Sequence, residues 1–297
     1  MSPQASANPE ERAGTARPVK RAARSKATSA VRLKPRSAAT ILVVSLIGLL
    51  ANLWPLLVEE QSAVAGHSRD APMLFAILLP LMLVVVLAEI ADGGMDAKAV
   101  AMLGVLSAVD AVLRPLGAGT GGIEVMFFLL VLGGRVFGAG FGFALGATSM
   151  FASAVLTAGI GPWLPYQMLG AAWVAMGAGL LPWRRGLRWP LELLLLCVYG
   201  AFASLAYGFV LNMSFWPFAT GDDPAIMPVP GAPLGDNLAR FVAYTLATSL
   251  GWDLGRVITN VALILVAGRP IMVALRRASR RAAFDATPRF AEGSRAD

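Results

Sequence analysis

An all-α polytopic membrane protein is the architecture that this chain's composition demands. Of its 297 residues, 57% are hydrophobic and 14% charged, and the mean hydropathy is +0.66. A soluble domain of this size cannot hide so much apolar surface. In lipid, backbone polar groups are satisfied inside helices, so the apolar runs read as membrane spans. Such runs recur eight times, and the basic residues gather at the two ends and in alternate connections. Those two patterns turn a hydrophobic composition into a threaded bundle.

Residues 1–37, rich in Ser, Ala, Arg, Lys and Pro, are expected to form a disordered basic cytoplasmic arm. The spans follow at about 38–58, 73–91, 98–114, 124–134, 136–158, 164–183, 189–213 and 238–268. Residues 38–92 thus form an N-terminal pair of spans, 97–275 a six-helix core, and 276–297 a basic cytoplasmic tail. Ala63-Val64-Ala65 resembles a signal-peptidase site. The length of the first run and of the arm before it favours a retained helix. The 124–134 run is short for a span and is expected to be tilted or re-entrant, sealed by protein.

Charge sets the orientation. Nine of the 25 Lys and Arg residues precede Ser37 and seven lie from Arg269 onward. With both termini inside, the turn at Gly133 and Arg135 and the loop Trp183-Arg184-Arg185-Gly186-Leu187-Arg188 are also internal. The external connections, 59–72, 115–123, 159–163 and 214–237, contain Arg69 as their only Arg or Lys. That is the positive-inside pattern, and the basic tails suit anionic lipid headgroups. No aromatic interleaving accompanies the charge, which argues against nucleic acid as a partner.

Several function classes lose support early. With Cys197 and His67 alone of their kinds there is neither a disulfide framework nor a His/Cys metal set. No GxxxxGK[ST] loop is present, so ATP hydrolysis is not expected of this chain. Nor is there a G-x-S-x-G elbow, which weakens the reading as an intramembrane enzyme and leaves no catalytic residue to name.

Three external segments are built to hold something. The run Gly117-Ala118-Gly119-Thr120-Gly121-Gly122 allows backbone to approach a ligand. The hinge from Gly159 to Gln167 is stiffened by Pro162 and Pro165 and offers Trp163, Tyr166 and Gln167 for stacking and hydrogen bonding. The connection from Met213 to Asp236, with Trp216, is long enough to serve as a lid. Glu124, Asp236 and Arg240 lie near the same mouth, with Asn212 and Asn237 as donors and acceptors. Candidate binding residues are therefore Gly119, Thr120, Glu124, Trp163, Tyr166 and Gln167, followed by Asn212, Trp216, Asp236, Asn237 and Arg240. Asp253 and Arg256, three apart, read as a self-neutralising pair in the inner half of the last span. Asn260 reads as interhelical glue.

Small residues mark helix contacts. Gly138, Gly142 and Gly146, continued by Ser149 and Ser153, form one stripe, and Ala171, Ala175 and Gly179 another. Both are expected to pack within the bundle, where lipid supplies no hydrophobic drive. A third stripe, Ala97, Ala101, Gly104, Ala108 and Ala111, is equally suited to a partner subunit.

Residues 97–275 resemble the substrate-binding S component of an energy-coupling factor (ECF) type vitamin importer. The likeness rests on six spans and on short strings: Ala97 and Ala101 as an Ala-x-x-x-Ala element, Arg114-Pro115-Leu116-Gly117, and Gly134 to Gly142. It continues through Gly161 to Gln167, Asn212 to Phe218 and Leu250 to Arg256. The two N-terminal spans depart from the six-helix pattern. Among actinobacterial members it looks closest to those assigned to cobalamin or related cofactors. The resemblance implies a bacterial plasma-membrane protein with no cofactor of its own. It would bind a vitamin-like ligand, a B vitamin or a corrinoid such as cobalamin, at the outer face between loops 115–123, 159–163 and 214–237. It also implies partners: a transmembrane coupling subunit that meets the Ala97–Ala111 stripe, and two ABC ATPases. The alternative reading is a stand-alone secondary transporter or channel, with Asp110, Glu124 and Asp253 as an ion relay.

Overall fold

The computed structural model describes residues 35–57, 97–117, 120–182, 188–218, 223 and 225–282, with Met95 and scattered positions between 77 and 88. Every regular element among them is helical. The first four are α1 (Pro35–Leu57), α2 (Ala97–Leu113), α3 (Met126–Phe137) and α4 (Ala139–Leu156). They are followed by α5 (Leu164–Leu180), α6 (Trp189–Phe215), a 3-10 turn at Trp216–Phe218, α7 (Leu234–Thr248) and α8 (Leu250–Ala282). Four are long and apolar enough to cross a membrane: α1, α4, α6 with its 3-10 turn, and α8. This is an all-α polytopic membrane protein.

The bundle is organised around its shortest apolar helix. All 12 residues of α3 are buried, between α2, α4, α5, α6 and α8. At about 1.5 Å per residue it spans only about 18 Å. It would leave polar helix ends in hydrocarbon were it not enclosed by protein. Gly138 ends it and starts α4, with φ of 100°, a backbone region that side chains resist.

Close helix contact follows from the glycines. A Cβ at Gly142 would strike the Ala175 carbonyl, one at Gly146 the Ala171 carbonyl, and one at Gly179 the backbone of Gly138 and Ala139. The first two small-residue stripes therefore face each other across the α4–α5 interface. Without the missing methyl groups the two backbones could not approach so closely, and dispersion contacts would be lost along both helices.

The first span, α1, is part of the bundle. Trp173 on α5 donates through Nε1 to Ser45 Oγ on α1 at 2.9 Å, and Leu169 fills the space left by Gly48. Of the second span only scattered helical positions between Ile77 and Ala88 are described, with Leu83 fully buried. The arm before Pro35, the region around Ala63-Val64-Ala65 and the loop Trp183–Leu187 lie outside the described residues.

Several boundaries differ from expectation. Helix α1 begins at Pro35, inside the stretch expected to be disordered. The expected last span, 238–268, is two helices broken at Ser249. Hydroxyl side chains compete with the ladder there: Thr248 Oγ1 donates to Tyr244 O at 2.8 Å, and Ser249 Oγ leaves the helix for Asn212 Oδ1 at 2.9 Å. The expected tail from residue 276 is helical to Ala282, and Arg276 Nη2 in it reaches Glu192 Oε1 at 2.7 Å. Arg135, expected in a turn, is also helical and buried, and its Nε donates to the same Glu192 oxygen at 3.1 Å. A triad of two buried groups and the partly buried Arg276 thus ties α3, α6 and α8 together at that end.

Candidate ligand-binding site

At the opposite end lies a cavity of about 310 Å³. Arg114 and Pro115 reach it from the end of α2, and Gly122, Ile123 and Glu124 from the following loop. Thr157, Gly159 and Trp163 come from the α4–α5 connection and Gln167 from the first turn of α5. Tyr207 and Leu211 on α6, with Trp252 and Arg256 on α8, close the far side. Glycine makes the convergence possible. Gly122, at φ of 81°, lies against the Trp252 backbone, and Gly255 lies against the Gly121 carbonyl, with no room for a Cβ at either position.

Arg256 is the centre of the buried chemistry. Its Nη2 donates to Glu124 Oε1 and its Nη1 to Asp253 Oδ1, both at 2.8 Å, while Nη1 also reaches Ser204 O at 3.1 Å. The guanidinium sits 5.0 Å from the Tyr207 ring centroid and 5.6 Å from that of Phe127. Asp253 fits because residue 208 is glycine: a Cβ there would overlap its carboxylate. One hydrogen bond to each of two carboxylates holds the cation where an isolated charge would be costly.

Arg114 is differently placed. Its Nη2 donates to Gln167 Oε1 at 3.2 Å, and it pairs with no carboxylate among the described residues. Asp110, one turn earlier, is instead fully buried, with its carboxylate facing Ser149 on α4. Ser107 on the same face meets Thr148 at 2.6 Å.

The cavity brings together Glu124, Trp163 and Gln167 from the expected set and leaves the others elsewhere. Gly119 lies outside the described residues, and Thr120 is exposed but not among the lining. Tyr166 is buried in the main core. Asn212 joins α6 to the α7–α8 break through Ser249 and Thr245. Asp236 is exposed in the first turn of α7, and Arg240 sits half-buried on the same helix, away from the lining.

The long third loop does not reach the cavity in its described part. Trp216 is fully buried, donates to Ile226 O at 2.7 Å and packs on Phe241, with Leu53 and Leu56 of α1 alongside. Asn237 exchanges two hydrogen bonds with the Val229 backbone, at 3.0 and 2.8 Å. The loop folds onto a small apolar cluster that α1 completes, so its aromatic residue anchors the fold. Sequence reasoning missed this because it depends on a helix more than 150 residues away.

Arg114, Tyr207, Trp252 and Arg256 were not among the expected binding residues. The sequence pattern puts Arg256 toward the inner half of a single long span. The break at Ser249 moves it into the opening turns of α8, beside Glu124. The signal available in sequence was Thr248-Ser249 followed by Gly251, a run prone to interrupt a helix.

The α2 stripe divides. Ala97, Ala101, Gly104 and Ala108 face outward, and a Cβ at Gly104 would meet nothing within 4 Å. Ala111 is buried against the bundle. No family profile, curated protein or solved structure matches the chain.

Proposed function

We propose that this protein is the membrane-embedded substrate-binding component of an ECF-type importer, capturing a small vitamin-like ligand at its outer face. The observation that carries the reading is the cavity of about 310 Å³ between loops 115–123 and 159–163 and the ends of α5, α6 and α8. It combines a few convergent polar groups with aromatic walls, as small-molecule sites do. The positive-inside pattern supports an orientation with this end of the bundle outside the cell and both termini in the cytoplasm. Its volume lies at the low end for ligand sites. A compact ring compound therefore fits better than cobalamin, whose macrocycle and side arms would require both loops to move apart.

The outward face of α2 supports a partner role. Ala97, Ala101, Gly104 and Ala108 present a smooth exposed strip flanked by Val100, Val105, Val109 and Val112. A coupling subunit's helix packs there, and two ABC ATPases supply the energy that this chain lacks. The stand-alone transporter loses two of its three relay carboxylates, since Glu124 and Asp253 are both held by Arg256.

Co-expression with a coupling subunit and its ATPases from the same genome tests the reading. A complex should survive purification, and Ala101→Trp or Ala108→Trp should abolish it without lowering the melting temperature of the isolated chain. Absence of a complex, or its persistence in both variants, refutes the proposal. ATP-independent uptake by the chain alone would establish the alternative.

A further inference from the structure

The cavity holds its charge at two separate poles. On the α3–α8 side two carboxylates, Glu124 and Asp253, share one guanidinium, leaving one negative charge in excess. Glu124 Oε1 is engaged by Arg256, and Oε2 has no protein partner among the described residues. The side chain is 31% exposed and lines the cavity. On the α2–α5 side Arg114 carries one positive charge that no described carboxylate offsets, with the Gln167 oxygen as its one side-chain acceptor among the described residues. Although Arg114 and Glu124 line the same space, they make no ion pair with each other.

Trp163 and Trp252, exposed by 40% and 47%, belong to the same lining. Two partly exposed tryptophans in the lining of a dipolar cavity suit a planar ring, and the uncompensated ends suit ligand charge of opposite sign.

We infer that the ligand is a compact zwitterion bearing a planar ring. Its acidic group sits against Arg114 and the Gln167 amide, its basic nitrogen faces Glu124, and its ring lies by Trp163 and Trp252. The inference deepens the proposed function and rests on its placement of the ligand. A pure anion would meet the Glu124–Asp253 excess, and a pure cation would meet Arg114. Each would leave one buried or half-buried charge unanswered, which lowers affinity roughly 10- to 100-fold for each charged hydrogen bond lost.

Two ring-matched trios probe this with the purified full chain in detergent: tryptophan, tryptamine and indole-3-propionate; histidine, histamine and imidazole-4-propionate. Thermal shift and titration calorimetry read binding, and mass spectrometry identifies any small molecule that co-purifies. At least one zwitterion should stabilise the protein more than either of its single-charge counterparts. Arg114→Gln should erase the preference over the amine, and Glu124→Gln the preference over the acid. Because Glu124→Gln removes one ion-pair partner, its melting temperature without ligand is measured alongside, and Arg114→Gln, which breaks no ion pair, provides the second arm.

Equal or greater binding of a single-charge compound, no stabilisation by either zwitterion, or a co-purifying ligand lacking an acid or a base overturns the inference. The import reading fails separately, when zwitterion preference holds but no complex with the coupling subunit forms.

Discussion

Replacing Arg256 by Gln removes the one cation that two carboxylates share. Asp253 is the decisive partner: its side chain is 6% exposed, whereas Glu124 is 31% exposed and recovers part of its hydration. Breaking a buried ion pair from one side costs about 3–5 kcal/mol, because the remaining charge stays desolvated. The exposed partner adds little beyond that. At about 2–4 °C per kcal/mol for a chain of this size, the melting temperature should fall by about 6–20 °C. Tryptophan-fluorescence melting of the purified chain in detergent measures it. The double variant Asp253→Asn with Arg256→Gln should recover most of the loss, since it leaves no uncompensated buried charge. A single variant within about 2 °C of the parent, or a double variant no better than the single, refutes the electrostatic account of this site.

Two further expectations separate anchors from surface. Trp216→Ala should cost about 3–5 kcal/mol through a lost core side chain, whereas Trp163→Ala, at a ring 40% exposed, should cost about 1 kcal/mol or less. Comparable melting temperatures for the two variants would contradict the assignment of Trp216 to the fold. Gly146→Leu should destabilise by about 1–3 kcal/mol or more, because its side chain meets the Ala171 backbone. Gly104→Leu, with open space around it, should leave the melting temperature unchanged or slightly raised through better helix propensity. If Gly104→Leu unfolds the protein, its face is not free.

Much of the fold was legible because its causes are local. Length and apolar content identify spans, and four-residue spacing of small residues identifies faces that must touch. The Gly142–Ala175 and Gly146–Ala171 contacts could thus be expected from the two stripes, though not which residue would meet which. The site was legible only in part. Glu124, Trp163 and Gln167 sit at helix ends, where position along the chain already reports depth in the membrane. Arg256 was hidden, because its depth depends on a break whose cause is a hydrogen bond from Ser249 to Asn212, 37 residues away.

Composition and charge pattern alone determined that this is a helical membrane protein, and predicted which end of each span faces outward. Both follow from transfer free energies that act residue by residue. Tertiary structure alone decided the uses of the polar residues. It gave Trp216 and Asn237 to the fold and sealed α3 inside the bundle. It also left Arg114 facing the cavity with no carboxylate partner among the described residues. Those outcomes turn on which distant groups satisfy a buried donor or charge, and a linear pattern does not contain that pairing.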